Sequence, residues 1–125
     1  MSIGRYEILM EFEKSGPVKA ILKRHLAPIT IEKFLMKLPY VSTATVMHHI
    51  VYIIMDIGVG YEKPKNRVDC GQIFYSPQNR TIGIALTDYR SLPFKINIMG
   101  VVKENSFDVL TSIERRERVK ISLLD

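Results

Sequence analysis

Residues 26–40 read LAPITIEKFLMKLPY, and the rest of the chain is interpreted around them. Thr30 can cap a helix to Leu38 whose apolar residues Ile31, Phe34, Leu35 and Leu38 recur at i, i+3, i+4 and i+7. Glu32 falls in the first turn and Lys37 in the last, the signs that the helix dipole favours. Pro28 stiffens the approach without removing a helical hydrogen bond, and Pro39 ends the helix. A helix of about two turns with one narrow stripe has to lie across a larger apolar surface.

Strands on both sides supply that surface. Upstream, Tyr6, Ile8, Met10 and Phe12 alternate with Arg5, Glu7, Leu9, Glu11 and Glu13, the period of a half-buried strand. Ser15-Gly16-Pro17 turns the chain and Val18 to Lys23 alternates again, completing a hairpin. Downstream, Val46 to Met55 reads as one long strand, apolar on both faces. Asp56 to Gly71 holds Gly58, Gly60, Pro64 and Gly71 and is expected to be a long loop. Gln72–Ser76 and Thr81–Thr87 flank the turn sequence Pro77-Gln78-Asn79-Arg80, a second hairpin. In its later strand Thr81, Gly83, Ala85 and Thr87 make a small-residue face that backbone or a ligand can approach closely. After the loop from Asp88 to Pro93 comes another strand, Lys95–Lys103. A short helix capped by Ser106 follows with Phe107, Leu110 and Ile113, then a closing strand with Val119, Ile121 and Leu123. About seven strands with two short helices and no long βαβ crossover point to a mainly β fold. A small closed antiparallel barrel with helices over its ends fits best.

The composition agrees with one domain spanning residues 1–125. Its apolar share is 46% and its charged share 25%, ordinary for a globular protein. Cys70 is the single cysteine, which excludes an internal disulfide and a zinc site built from several thiolates. The first residues lack the apolar core of a secretory signal, and the longest apolar run, Ile50–Met55, is far too short to span a bilayer. A cytoplasmic protein without membrane attachment is the expectation; nothing in the sequence fixes its oligomeric state. The net charge is +5, yet the cations are scattered. The densest groups, 63–67 and 115–118, leave a basic nucleic-acid-associated protein as an alternative that the pattern does not favour.

The segment Ala27-Pro28-x-Thr30-Ile31-x-x-Phe34, placed after a strand, resembles the first helix of cyclophilins. Gly100-Val101-Val102-Lys103-Glu104 with the later Ile113-Glu114 resembles a segment near the other end of that family's barrel. Gly71-Gln72-Ile73-Phe74-Tyr75-Ser76-Pro77 and Ile96-Asn97-Ile98-Met99-Gly100 are similar to stretches of the minimal cyclophilin-like domains of archaea and bacteria, a family of unassigned function. The resemblance implies an eight-stranded barrel with two capping helices.

It also raises the question of prolyl isomerisation. Met47 to Gly58, laid without gaps on the family's central motif, matches it only at His48, Ile50, Met55 and Gly58. His49 stands where the family's arginine would be, Ile54 where the phenylalanine would be, and Ile57 where the glutamine would be. A histidine lacks the permanent forked charge of a guanidinium. There is no tryptophan to line a proline pocket. Ordinary prolyl isomerase activity is therefore not expected, a weak or divergent isomerase being the alternative. Nor does the sequence offer another chemistry: His48 and His49, adjacent on a strand, would point to opposite faces and share no metal. Gly58-Val59-Gly60 lacks the lysine of a phosphate loop. Neither a cofactor nor a metal is indicated. What remains is a groove on the outer barrel face, lined by His49, Tyr52, Phe74, Tyr75, Arg80, Tyr89 and Asn97. Aromatics with a few donors suit a peptide or a small anionic ligand.

Overall fold

In the computed structural model, which describes residues 4–124, the alternation at the start of the chain becomes a hairpin. β1 (Arg5–Phe12) pairs antiparallel with β2 (Gly16–Lys23), from Arg5 opposite Lys23 to Phe12 opposite Gly16. Ile8, Met10 and Phe12 of β1 and Val18, Ala20 and Leu22 of β2 turn into one core, so both strands keep period two. Residues 1–3 and 125, the margins of the single domain expected, lie outside the described residues.

Six more strands follow: β3 (Tyr40–Met47), β4 (Ile50–Ile54), β5 (Gln72–Ser76), β6 (Thr81–Ala85), β7 (Asn97–Val102) and β8 (Arg116–Leu124). They close in the order β1-β2-β7-β5-β6-β4-β3-β8, and β8 pairs back onto β1. Every neighbouring pair is antiparallel. The expected mainly β closed barrel is thus the architecture, with eight strands where seven could be counted along the chain.

The eighth strand corrects the reading of Val46–Met55. That stretch is not one strand: β3 ends at Met47, which pairs with Ile50 of β4, and His48-His49 make the two-residue turn between them. Both histidines have positive φ, 52° and 59°, the pattern of the tight turn whose twist suits a hairpin. The two residues therefore project from a hairpin tip instead of pointing to opposite faces of a strand.

α1 (Pro28–Met36) starts two residues before the expected cap. Pro28 fills the first helical position, where its missing N–H costs nothing. Thr30 is inside the helix and fully buried. Ile31 and Phe34 enter the barrel core, with Leu35 and Leu38 packed against it. α2 (Phe107–Thr111) follows a 3-10 turn at Glu104–Ser106. Ser106 stands at its N-cap position, but its Oγ accepts instead from Lys19 N of β2 at 2.9 Å. Leu110 and Ile113 join the same core. α1 lies at the start of β1, where Tyr6, Ile31 and Leu35 line one concavity, and α2 lies at the start of β2, where Gly16 faces Val109. These are opposite ends of the barrel, so each helix closes one mouth.

A second core lies outside the barrel wall. Ile50 and Tyr52 of β4, Phe74 of β5, Ala85 of β6 and Ile98 of β7 face outward and pack with Val68, Tyr89, Leu92, Phe94 and Ile96. Two loops bring those partners and are stitched together. Val68 N and Tyr89 N each donate to the other's carbonyl at 3.0 and 2.8 Å, and Lys65 and Ile96 do the same at 2.9 and 2.8 Å. Phe74 lies across Gly83 so closely that a Cβ there would sit 2.2 Å from its ring. The small-residue face of β6 is thus filled by the chain's own phenylalanine.

Candidate functional site

The structure brings three of the seven groove candidates together, leaves His49 exposed at the nearby hairpin tip, and places three elsewhere. Phe74 is fully buried beneath the two stitched loops. Tyr52 and Tyr89 are half-buried beside it, and Tyr89 Oη donates to the carbonyl of His48 at the hairpin tip. Burial, and then the neighbouring Tyr89, push the Tyr52 hydroxyl above the usual phenol range. His49 is exposed, and its carbonyl accepts from Leu86 N at 2.8 Å. The outer face where a groove was expected is therefore occupied by residues 65–71 and 86–96.

The other three candidates go elsewhere. Tyr75 points into the barrel, 1% exposed, with its Oη 3.4 Å from Ile57 N. Its burial pushes the hydroxyl above its ordinary range. Arg80 is exposed in the β5–β6 turn at φ 56°, 3.9 Å from the Asp56 carboxylate. Asn97 is fully buried, and its amide is consumed inside the fold. Its Oδ1 accepts from Glu62 N at 2.8 Å, and its Nδ2 donates to Thr30 Oγ1 at 3.1 Å and to the Gly60 carbonyl at 3.0 Å.

Asn97 belongs to a device that sequence reasoning missed. The α1 cap is not Thr30 but Glu62, brought from the loop. Glu62 Oε2 accepts from Ile29 N, and Oε1 accepts from both Thr30 N and Thr30 Oγ1, each at 2.9 Å. Burial pushes the Glu62 carboxyl up, but these donors outweigh it and hold the group below its ordinary value. The carboxylate also lies at the positive end of the helix dipole.

An open surface lies at this same end of the barrel. A concavity of about 700 Å³ is bounded by Gly4, Arg5, Lys23, Arg24, His25 and Pro28. Arg5 and Lys23 are directly opposed in the β1–β2 register, and the chain continues at once into Arg24 and His25 of the 3-10 turn. Arg24 N donates to the Gly4 carbonyl at 2.8 Å, which fixes the turn against β1. Among the described residues no carboxylate lines this basin and none of its cations is in an ion pair. Like charges directly opposed across a strand pair are destabilising. Arg5, Lys23 and Arg24 together favour an anion there. The sequence did contain the signal: Lys23-Arg24-His25 is a continuous basic run, but only the register adds Arg5.

Among the described residues no group of His, Cys, Asp and Glu is arranged to hold a metal, and Cys70 is exposed. No helix of the described residues is long and apolar enough to cross a membrane.

Solved structures share the fold. A search of family models and of curated proteins found no match. The hypothetical protein AF2241 from Archaeoglobus fulgidus, known from a solution structure, superposes with a TM-score of 0.78 at 21% identity, covering 97% of this chain and 96% of that one. McbB, solved in complex with tryptophan, superposes with a TM-score of 0.70 at 17% identity. This chain spans 92% of its own length in that match but 44% of McbB. At these identities the likeness is one of fold: a whole-chain match to an archaeal barrel of the same size, and a match to part of a larger protein.

Proposed function

We propose that the chain is a cyclophilin-like binding domain without ordinary prolyl isomerase activity, holding a small anionic ligand, free or as the carboxylate end of a peptide, at the α1 end of its barrel. The observation that carries this reading is the basin of Arg5, Lys23, Arg24 and His25, whose cations are in no ion pair among the described residues. The eight-stranded barrel with a helix over each mouth is what a cyclophilin-like chain needs, and the AF2241 superposition supports a domain of this size. Two features argue against isomerase chemistry on the sheet. His49, aligned with the family's arginine, belongs to a hairpin tip, and the outer sheet face is filled by Phe74, Leu92 and Phe94.

The test combines a protease-coupled isomerisation assay with NMR shift mapping, using one short proline-containing peptide with a free carboxyl terminus. Isomerisation should stay at the uncatalysed rate while amide shifts gather at residues 4, 5 and 23–25. Catalysis of ordinary cyclophilin strength, or shifts confined to Tyr52, Phe74 and Tyr89, would overturn the proposal. Shifts at residues 115–118 with an oligonucleotide alone, lost at moderate salt, would favour the nucleic-acid reading instead.

A further inference from the structure

The basin does not end at its cations. A second concavity of about 390 Å³ adjoins it, sharing Arg24 and Pro28 and adding Tyr6, Ile31, Glu32, Leu35 and Met36. Pro28, Ile31, Glu32 and Leu35 stand at i, i+3, i+4 and i+7 of α1, so they form one face of the helix. Ile31 supplies the buried floor, Tyr6 and Leu35 are half-buried, and Met36 stands 71% exposed at the far rim. The surface thus changes along α1 from cationic at Arg5, Lys23 and Arg24 to apolar at Leu35 and Met36.

We infer that the ligand is a monoanion with a short apolar tail, of the medium-chain acyl carboxylate class, whose head lies among Arg5, Lys23 and Arg24 and whose tail runs along Pro28, Ile31 and Leu35 to Met36. This rests on the reading of the basin as the binding site and deepens it. An anion alone would satisfy the cations but leave the apolar half unused. A neutral hydrocarbon would use the apolar half and leave the cations facing one another. The seven steps from Pro28 to Leu35 rise about 10 Å along the helix axis. That is the length of an extended chain of about eight carbons at the usual carbon–carbon spacing. Glu32, exposed on the same face midway between Pro28 and Met36, disfavours a second negative charge on the tail. The site therefore selects a monoacid over a diacid of the same length. Met36 suits such a role, being flexible and polarisable enough to fold over chains of slightly different length.

The experiment is an NMR titration of the full chain with acetate, octanoate, octanol and suberate, followed by octanoate with the Met36→Ser variant. Each methylene buried contributes about 0.8 kcal/mol, so even partial coverage of the tail should make octanoate bind roughly 10- to 100-fold tighter than acetate. Octanoate should shift residues 5 and 23–25 together with 31, 35 and 36, while octanol and suberate bind more weakly. Met36→Ser, at an exposed position, should weaken octanoate at least threefold and leave acetate unchanged. Equal affinity for acetate and octanoate overturns the inference while leaving the basin as an anion site, and so does octanol matching octanoate. Silence at residues 5 and 23–25 with every anion overturns the inference and the site reading together.

Discussion

Replacing Glu62 by alanine isolates a cap that arrives from a distant loop. The substitution removes the acceptors of three hydrogen bonds, from Ile29 N, Thr30 N and Thr30 Oγ1. It leaves intact the bond from Glu62 N to Asn97 Oδ1, because that bond uses the backbone. Ile29 is exposed, so water replaces its lost partner at little cost. Thr30 is fully buried, so its N–H loses its acceptor where solvent does not reach. A lost cap costs about 1 kcal/mol, and a buried donor left unsatisfied adds about 1–3 kcal/mol. Glu62→Ala should therefore destabilise the fold by about 2–4 kcal/mol near neutral pH. Glu62→Gln retains one acceptor oxygen and should cost about half as much. Because the folded carboxyl is held below its ordinary value of 4.5, its contribution is complete above that pH. It fades as the pH falls through the lower folded value. Glu117 is depressed by a similar set of donors, but it is common to both proteins and cancels in the comparison. Urea denaturation of both proteins at pH 7 and pH 3 reads the effect, with the gap narrowing at the lower pH. A loss below about 0.5 kcal/mol at pH 7, or a gap of equal size at both, refutes the capping argument.

Two further substitutions probe the elements that decide the fold. Phe34, 1% exposed in the barrel core, should cost about 3–5 kcal/mol on replacement by alanine, and a chemical-denaturation loss below about 1 kcal/mol would show that α1 does not plug the barrel. His49→Gly removes a side chain from a left-handed position at φ 59° and should stabilise the protein by about 1 kcal/mol, read as a raised urea midpoint. A lowered midpoint would mean that the imidazole makes contacts worth more than the backbone strain.

The elements that were legible in the sequence obey a single local rule. β1 and β2 show clean alternation because one face meets the core and the other meets water, and α1 shows its stripe because it lies on the barrel mouth. β3 and β4 were fused because the usual markers of a two-residue turn, Asn-Gly or Asp-Gly, are replaced by His-His. Histidine does tolerate left-handed backbone better than most residues, so the signal existed in weak form. β3 was also legible in principle, since Val41, Thr43, Thr45 and Val46 are all β-branched. The site was harder. Aromatics on the outer face of a strand look alike whether a ligand or a loop covers them, and here Val68, Leu92 and Phe94 cover Phe74. The Glu62 cap joins residues far apart in the chain, which no local pattern encodes, whereas the Arg5–Lys23 pairing follows from the hairpin once its register is fixed.

The position of β8 has a consequence for how the chain matures. The last strand of the sequence stands between β1 and β3, and both are its direct neighbours. Until Arg116–Leu124 are available, the other seven strands can form only an open sheet with β1 and β3 at its margins. Such margins invite pairing with a second chain. During synthesis this vulnerability lasts until the final stave emerges from the ribosome. β1 meets the interval with Glu11 at an outward position, Glu7 on the same face being paired with Lys103, and an acidic side chain of that kind repels an identical strand approaching edge to edge. β3 presents Val41, Thr43 and Thr45 instead, which offer no such repulsion. Premature association of nascent or truncated chains should therefore begin at β3.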